Sequence, residues 1–301
     1  MSETDFTPEV RASAWWSGDS RLMAQGKAAQ AILVKQGKMQ PPDLSEVEAV
    51  QMGLKMQPII ARMAEDELGV RLKDLDIAGT HPTEPWLRAH FDYVSEDNKF
   101  LVECKNYNDM YSKQFSDLDE PLRLPPADRL QCIHEAAVYG VNLVYLAVLF
   151  GGQRFRLYRI DVSDEEKLSL IKRAAEMWAH VKNGTCPVPS TPEESRIIWP
   201  DEQTGQVVIA SQALEKAALT LRQLKNQIAD AEEMEDRLTA QIQAALGEAG
   251  ELRSFTGETL VTWKQAKGSK KFDAKAMKEA LPDTYERFMK EVAGSRRFLV
   301  K

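Results

Sequence analysis

Three charged residues in two predicted strands have the types and spacing to do chemistry. Asp92 follows a short apolar run, and the triplet Glu103-Cys104-Lys105 ends a second one, with the turn-like residues 95–98 between them. This pattern predicts a β-hairpin. Because side chains alternate along a strand, we expect Glu103 and Lys105 to share one face with Asp92 beside them, and Cys104 to point into the core.

Two carboxylates and a lysine on one face are typical of phosphodiester hydrolysis. The carboxylates repel each other, and a divalent cation would cancel that repulsion. Mg²⁺ takes oxygen ligands, usually one or two carboxylates together with waters and phosphate oxygens of the substrate. A neighbouring lysine would orient the attacking water and offset negative charge in the transition state.

A solvated strand face is the alternative interpretation. Charged residues at positions i and i+2 usually mark such a face, and the D…ExK pattern is short enough to occur by chance in acidic proteins. The context favours a site, because the strand before Glu103 is apolar and Lys105 is followed by the polar segment 106–108, which is typical of a loop lining a site.

Five further stretches, in order along the chain, complete a pattern with Asp92 and the Glu103–Lys105 triplet. They are WSGDS at 16–20, GLKMQP at 53–58, QCIH at 131–134, Gly140 with AVLFGG at 147–152, and SRRFLVK at 295–301. Together they resemble the PD-(D/E)XK nucleases, and more specifically the YqaJ-like phage recombinases, which are relatives of lambda exonuclease. The resemblance covers nearly the whole chain.

The resemblance implies a metal-dependent exonuclease that hydrolyses phosphodiester bonds at double-stranded DNA ends. It implies the 5′ to 3′ direction and a place in phage-type homologous recombination. The expected cofactor is Mg²⁺, with Mn²⁺ as an alternative. The expected partners are DNA ends, a single-strand annealing protein and further copies of the chain in a homotrimer. Such a phage or prophage protein would act in the cytoplasm of a bacterial host.

The resemblance also implies roles for residues of this sequence. Asp92 and Glu103 would hold the metal, with the backbone carbonyl of Cys104 as a further ligand. Lys105 would orient the attacking water, and Gln131 would contact the scissile phosphate or a water at the site. The expected catalytic residues are therefore Asp92, Glu103, Lys105 and Gln131.

Gln57 departs from the family pattern. The resemblance places a metal-binding glutamate at this position, whereas this chain has a neutral amide. An amide is a weaker ligand for a hard cation than a carboxylate is. The departure supports a second hypothesis, in which the protein is a catalytically weak DNA-end-binding scaffold for recombination.

The N-terminal region offers a candidate phosphate contact. By resemblance, Arg11 and Ser20 would meet a terminal 5′-phosphate. Ser20 is also a predicted N-cap of an alanine-rich helix over 21–36, and the free N–H groups of a helix N-terminus attract anions. A plain N-cap is an equally good interpretation. His134 lies three residues after Gln131, on the same helix face, and is interpreted as a surface or half-buried histidine.

Composition places limits on the function. The chain has 301 residues, of which 43% are hydrophobic and 28% are charged, and its net charge is −7. No apolar run approaches the roughly 20 residues that span a bilayer, and the start of the chain lacks the pattern of a signal peptide. Three widely spaced cysteines are typical of free thiols in a reducing cytoplasm. The acidic charge argues against a general nucleic-acid-coating protein.

The C-terminal residues 251–301 differ in charge from the rest of the chain. Residues 251–301 contain twelve Lys and Arg against seven Asp and Glu. Lys264, Lys267, Lys270 and Lys271 follow a predicted hairpin and are candidate contacts to the DNA backbone, which would position DNA without reading its sequence. A lysine-rich solvated surface is the alternative.

The predicted fold is α/β. Residues 1–200 are expected to form a PD-(D/E)XK nuclease-like core, in which helices flank a central mixed sheet. Residues 201–250 carry a heptad pattern that predicts a long coiled-coil-like helix, which packs on the chain's own body or mediates assembly with the annealing protein. Residues 251–301 are expected to form a small α+β extension, with short helices over 274–281 and 284–292 and a closing strand over 295–301.

Overall fold

The computed structural model describes residues 7–117, 120–189, 191–290 and 294–301. It divides into two compact units, Met1–Pro200 and Asp201–Lys301. Within the described residues, the first unit contains a six-stranded sheet and the second a two-stranded one.

Helices and strands are mixed along the first unit. Its strands are β1 (Trp15–Trp16), β2 (Leu72–Thr80), β3 (Leu87–Ser95), β4 (Leu101–Tyr107), β5 (Leu143–Phe150) and β6 (Arg154–Asp161). Its α-helices are α1 (Pro8–Ala12), α2 (Ser17–Ala24), α3 (Ala28–Lys35), α4 (Glu48–Leu68), α5 (Pro126–Tyr139), α6 (Asp164–Asn183) and α7 (Pro192–Ile198). A 3₁₀ helix, Asp109–Gln114, follows β4.

The sheet of the first unit is mixed. Its strand order is β1-β3-β4-β5-β6, and β2 also pairs with β3. The β1–β3 and β4–β5 pairs are parallel, whereas β2–β3, β3–β4 and β5–β6 are antiparallel. The parallel β4–β5 pair requires a crossover connection, and α5 supplies it.

One edge of β3 is shared between two neighbours. β2 pairs with residues 88–95 on the opposite edge, with a register shift at Asp92. On the shared edge, β1 pairs with residues 87–88 at the start of β3, and β4 pairs with residues 93–94 near its end. None of the described strands pairs with residues 89–92 on this edge. The sheet therefore opens beside Asp92.

Helices cover both faces of the sheet. On one face, here called the α5 face, Leu146 and Val148 of β5 lie in a core with Ile133 of α5. On the other, the α4 face, Ala147 and Leu149 lie in a core with α4. Because both faces are buried, β5 is a continuous apolar run rather than an alternating one.

The same alternation assigns the residues of β4 to faces. Leu101 and Tyr107 belong to the core on the α5 face, and Val102 belongs to the core on the α4 face. Side chains two residues apart point the same way. Glu103 and Lys105 therefore lie on the α5 face.

The structure confirms the predicted fold class, a central mixed sheet flanked by helices. The helix ends follow local chemistry. The Ser163 hydroxyl accepts a hydrogen bond from the N–H of Glu166 at 3.2 Å at the start of α6, and Gly184 ends that helix with a φ of 66°. Such a serine cap and left-handed glycine are the expected signals.

Several local predictions are wrong. The single helix predicted over 21–36 is two helices, α2 and α3, separated at Gly26, whose φ of 69° no continuous helix can contain. Ser20 is not an N-cap, because α2 begins at Ser17 with Trp16 at its N-cap. The short helix α7 was not predicted; at its start the Thr191 hydroxyl accepts a hydrogen bond from Glu194 N at 3.1 Å.

The second unit contains the predicted long helix and small α+β extension. Its elements are α8 (Gln212–Leu246), β7 (Glu251–Arg253), β8 (Thr259–Thr262), α9 (Ala274–Ala280) and α10 (Pro282–Arg287). The predicted closing strand is wrong, because the described residues 294–301 form no strand. The helix predicted over 284–292 corresponds to the earlier and shorter α10, and residues 291–293 lie outside the described part of the chain.

The heptad positions of α8 are largely exposed. Leu214, Ile228 and Leu238 have exposed fractions of 54–59%. Lys264, Lys267, Lys270 and Lys271 follow the β7–β8 hairpin in an exposed segment without regular structure. Among the described helices of the chain, none has the length and apolar character needed to cross a membrane.

Close packing between β2 and β3 generates a prediction about stability. A β-carbon added to Gly79 would overlap the ring of Phe91, which is buried on the neighbouring strand. We expect Gly79→Ala to lower the free energy of unfolding by about 1–3 kcal/mol, because an overpacked core must shift. Urea unfolding followed by circular dichroism measures it. The control is Gly53→Ala in the interior of α4, where an added β-carbon meets no other atom. This change should raise the free energy of unfolding by up to about 1 kcal/mol. Equal effects of the two changes would contradict the packing argument.

Candidate active site

The candidate active site lies where β3 and β4, the strands that carry Asp92 and Glu103, stop pairing. Pairing between β3 and β4 stops at Tyr93–Val102. Continued by one residue, the same register would place Asp92 opposite Glu103. Instead, a carboxylate oxygen of Asp92 accepts a hydrogen bond from the backbone N–H of Cys104 at 2.9 Å. The Asp92 side chain thus takes the position of a strand partner and is held beside Glu103.

Glu103 is at the centre of the cluster. Its side chain is buried, with 4% of the residue exposed. One carboxylate oxygen, Oε1, accepts hydrogen bonds from Lys105 Nζ and from Gln131 Nε2, both at 2.6 Å. The structure therefore brings together Asp92, Glu103, Lys105 and Gln131.

Glu135 belongs to the same cluster, although it was not predicted. It lies one turn after Gln131 on α5 and is fully buried. Gln131 Nε2 donates a second hydrogen bond to Glu135 Oε1 at 2.9 Å, so the amide bridges Glu103 and Glu135. The spacing of four from Gln131 was the available signal, because residues four apart share a helix face.

A second network adjoins the cluster, and sequence analysis also missed it. Arg21 of α2 forms a short ion pair with the buried Asp128 of α5 and donates to the Tyr107 hydroxyl at 2.9 Å. Tyr107 in turn donates to Asp128 at 2.8 Å. Arg21 also donates to Gln131 Oε1 at 3.3 Å, which joins the two networks. Tyr107 lies two residues after Lys105 on the same face, and this spacing was the signal for it.

Comparison with known proteins identifies the region that contains these residues. Residues 22–142 match the YqaJ-like viral recombinase domain. The resemblance found from the sequence motifs is thereby confirmed, and the matched residues include Asp92, Glu103, Lys105, Gln131 and Glu135.

One relative and two solved structures are similar to this chain. The whole chain aligns with 95% of the uncharacterized protein YqaJ of Bacillus subtilis (strain 168), with 25% identity over 311 residues. The alkaline exonuclease LHK-Exo from Laribacter hongkongensis matches 58% of the chain and 90% of its own, with 14% identity and a TM-score of 0.45. A phage related exonuclease from Haemophilus somnus 129PT matches 52% and 82%, with 11% identity and a TM-score of 0.42.

Ser20 lies inside the protein. It is fully buried, and its hydroxyl accepts from Trp15 Nε1 at 3.1 Å and contacts His134 Nδ1 at 2.8 Å. His134 Nε2 lies 3.0 Å from the carbonyl oxygen of Arg88, which can only accept, so Nε2 carries the proton. Burial lowers the pKa of His134 to about 3, and the ring is therefore neutral.

Two interpretations of this region are therefore corrected. His134 is not a surface or half-buried histidine, because the fully buried ring connects α5 to β3. The Ser20 hydroxyl is engaged with Trp15 and His134 and has no exposed surface for a 5′-phosphate.

Three further predicted residues, Arg11, Gln57 and Cys104, make no side-chain hydrogen bond to the acidic cluster in the described part of the chain. The Arg11 guanidinium stacks 5.1 Å from the centre of the Trp16 ring. Gln57 is half-buried on α4, and in the described part of the chain it makes no hydrogen bond to the acidic cluster. Cys104 packs with the core on the α4 face, as its alternation with Glu103 predicted.

Buried negative charge is in excess at the cluster. Burial, and then the charge of Glu103, raise the pKa of both Asp92 and Glu135 well above the ordinary values of these carboxyls. Burial alone would lower the pKa of Lys105, but Glu103, Tyr107 and Asp92 outweigh it and raise that pKa. A single lysine thus faces three carboxyl groups, and a cation would relieve their repulsion.

The donors of the cluster fit a hard divalent cation. Asp92 and Glu103 offer carboxylate oxygens, and Cys104, whose N–H binds Asp92 at 2.9 Å, follows Glu103 on β4 with a carbonyl oxygen of its own. Among the described residues, no three His, Cys, Asp or Glu side chains come together to hold a metal. A pair of carboxylates is nevertheless what Mg²⁺ commonly uses, since it keeps several waters and binds substrate phosphates.

The burial of Glu135 generates a prediction about pH. Its pKa is raised in the folded state, so the folded protein binds more protons than the unfolded chain above about pH 4.3, the ordinary value. Stability that depends on Glu135 is therefore lost as the pH rises towards the folded pKa. We expect Glu135→Gln to increase the free energy of unfolding by about 1–2 kcal/mol at about pH 8, and by less at about pH 5.

Urea unfolding at both pH values checks this prediction. Glu176→Gln, at an exposed position of α6, is the matched control and should leave the free energy of unfolding within about 0.5 kcal/mol of the parent protein. A Glu135→Gln protein that is less stable at the higher pH would show that the carboxylate is compensated, contrary to the charge excess.

Proposed function

We propose that this protein is a metal-dependent exonuclease that hydrolyses phosphodiester bonds at double-stranded DNA ends in phage-type homologous recombination. The observation that carries the proposal is the buried cluster of Asp92, Glu103, Lys105 and Gln131 where β3 and β4 part, within a YqaJ-like viral recombinase domain. The proposed direction of degradation is 5′ to 3′, as the resemblance implies.

Asp92, Glu103 and the Cys104 carbonyl would hold Mg²⁺, or Mn²⁺ in its place. When bound, the cation supplies Lewis-acid stabilisation of the negative charge that develops on the phosphate oxygens. The raised pKa of Asp92 indicates that this site favours the binding of positive charge over two free carboxylates.

The side chains of this protein have separate roles in the proposed hydrolysis. Lys105 stays protonated, because its pKa is raised, and orients the attacking water while offsetting charge at phosphorus. The water oxygen bonds to phosphorus as the bond to the leaving oxygen breaks; the water gives up one proton to the solvent, and the leaving oxygen takes one up from it. Gln131 keeps Glu103 in place through its 2.6 Å hydrogen bond. Arg21 adds a fixed positive charge beside the amide.

Further parts of the proposal rest on resemblance and charge. Arg11 and the lysines 264, 267, 270 and 271 would contact the DNA backbone. A homotrimer, a single-strand annealing protein as partner, and the cytoplasm of a phage-infected or prophage-bearing bacterium complete the proposal. α8 would mediate assembly with that partner, because its heptad positions are exposed.

A catalytically weak DNA-end-binding scaffold is the second candidate function. The observation that favours it is Gln57, an amide where the family pattern has a glutamate. Such a protein would bind duplex ends tightly and release little or no product in Mg²⁺ or Mn²⁺. The domain organisation, with a core over 1–200, a long helix over 201–250 and a basic segment over 251–301, would serve either function.

The first prediction of this proposal concerns Lys105. We expect Lys105→Ala to reduce the rate of degradation of linear duplex DNA by at least about 10²-fold, because the water loses its positioning charge. The measurement is a time course with 5′-end-labelled and 3′-end-labelled duplex in Mg²⁺, beside closed circular DNA. The parent protein should release the 5′ label first, leave the circle intact and lose activity in EDTA.

Lys99→Ala is the matched control, since Lys99 is exposed in the turn between the same two strands. Its activity should equal that of the parent protein. Cleavage unchanged by Lys105→Ala, or cleavage of the closed circle at the same rate, would remove the proposed assignment.

The second prediction decides between the two candidate functions. A carboxylate at position 57 would add a hard ligand, so we expect Gln57→Glu to increase the Mg²⁺-dependent rate by about tenfold or more. Gln51→Glu makes the same chemical change earlier on α4 and should have no effect. If Gln57→Glu switches on cleavage in a protein that otherwise only binds ends, the parent chain is the scaffold; if the rate stays the same, position 57 is not a metal ligand.

A further inference from the structure

A basic pocket lies beside the 3₁₀ helix that follows β4. It has a volume of about 390 Å³. Four basic side chains line it, together with aromatic rings and two acidic residues: Lys113, Arg123, Arg154 and Arg156, with Asp117 and Glu120. The lining therefore has an excess of positive charge, in contrast to the net charge of −7 of the whole chain.

The register of the sheet places this pocket on the same face as the acidic cluster. Lys105 pairs with Val148, and Val148 pairs with Arg156, so these residues form one row across β4, β5 and β6. Directly paired residues point to the same face, and Val148 lies in the core on the α5 face. With strands about 4.8 Å apart, the backbones at Lys105 and Arg156 are separated by about 10 Å.

An aromatic wall separates the pocket from the cluster and stiffens it. Phe115 lies 5.1 Å from the Phe150 ring and 5.3 Å from the Tyr158 ring, measured between centroids. Tyr107, which belongs to the network of Arg21, packs 4.4 Å from Tyr111 in the same group of rings. The basic side chains of the pocket are thus supported by packed rings on their inner side.

Hydrogen bonds hold three guanidinium groups of the pocket in position. Arg123 donates to the carbonyl oxygens of Lys113 at 3.1 Å and of Phe115 at 2.9 Å. Arg154 pairs with Asp109 at 2.8 Å. Arg156 donates to the Phe155 carbonyl oxygen at 2.9 Å, and Lys113 is exposed on the 3₁₀ helix. Preorganised guanidinium groups match the oxygens of a phosphate.

We propose that this pocket binds a backbone phosphate of the nucleic-acid strand whose reacting phosphodiester lies at Glu103 and Lys105. The inference rests on the proposed nuclease function and adds a phosphate contact on β6 that neither the motifs nor the resemblance assigned. A contact of this kind fixes the path of the strand across the α5 face without reading its sequence. The same chemistry would suit a free mononucleotide, and the experiment below separates the two sources.

The test measures binding in EDTA, where no hydrolysis takes place. A fluorescein-labelled linear duplex is titrated with the full-length protein by fluorescence anisotropy at several salt concentrations. We expect Arg156→Gln to weaken binding by about tenfold and to reduce the slope of log affinity against log salt by about 1, because one phosphate contact is lost. Lys113→Gln, on an exposed residue whose replacement does not threaten folding, should act in the same direction. Arg156→Lys, which keeps the charge, should retain most of the affinity.

Arg159→Gln is the matched control. Arg159 lies on β6, pairs with Tyr145 on the opposite face and forms an exposed ion pair with Asp161. Its replacement makes the same change of charge and should leave the affinity for the duplex unchanged. Equal effects of Arg156→Gln and Arg159→Gln would overturn the proposal, because the loss would then reflect overall charge.

A competition experiment separates the strand from a free nucleotide. If Arg156→Gln leaves duplex binding and its salt slope unchanged but abolishes binding of thymidine 5′-monophosphate, the pocket holds a free nucleotide and the strand contact is overturned. If neither ligand is affected, the pocket binds no phosphate. Because no cleavage is measured, failure of the nuclease proposal, tested by Lys105→Ala, would leave these outcomes unaltered.

Discussion

The site depends on one hydrogen bond, from the backbone N–H of Cys104 to the carboxylate of Asp92. Antiparallel pairing between β3 and β4 stops one residue earlier, and β1 occupies the start of the same edge of β3. An N–H left unpaired in a buried sheet would cost about 1–3 kcal/mol. The Asp92 side chain satisfies it, and in doing so fixes its own carboxylate beside Glu103 where the strands separate.

The cost of gathering these charges is offset by the packing around them. A buried charge without a full set of partners is destabilising, and here Asp92, Glu103 and Glu135 face one lysine, while an oxygen of the buried Asp128 has no hydrogen-bond partner in the described structure. Cores on both faces of the sheet hold the strands in place against this repulsion. Buried polar groups that lack a full set of partners, within a fold that is otherwise well packed, are expected at a functional site.

Regular alternation explains which features could be predicted from the sequence. The apolar strands, the shared face of Glu103 and Lys105, and Gln131 on its helix follow from periods of two and about 3.6 residues. Arg21 and Asp128 escaped prediction because they meet across 107 residues of chain, and Glu135 because a glutamate on a helix usually indicates a solvated face. The break at Gly26 was missed because the alanine-rich stretch around it has high helix propensity, which a single left-handed residue overrides.

The pairing register of β4, β5 and β6 places a basic residue, Arg156, in the same row of the sheet as Lys105 of the acidic cluster. Because the chain has a net charge of −7, attraction of the proposed DNA strand would have to come from local basic surfaces. Lys105 and Arg156 lie in one row of the sheet, two strands apart, and the wall of aromatic rings keeps their surroundings separate. The sheet therefore sets the separation of about 10 Å between the backbones at Lys105, in the proposed cation site, and Arg156, in the proposed phosphate pocket.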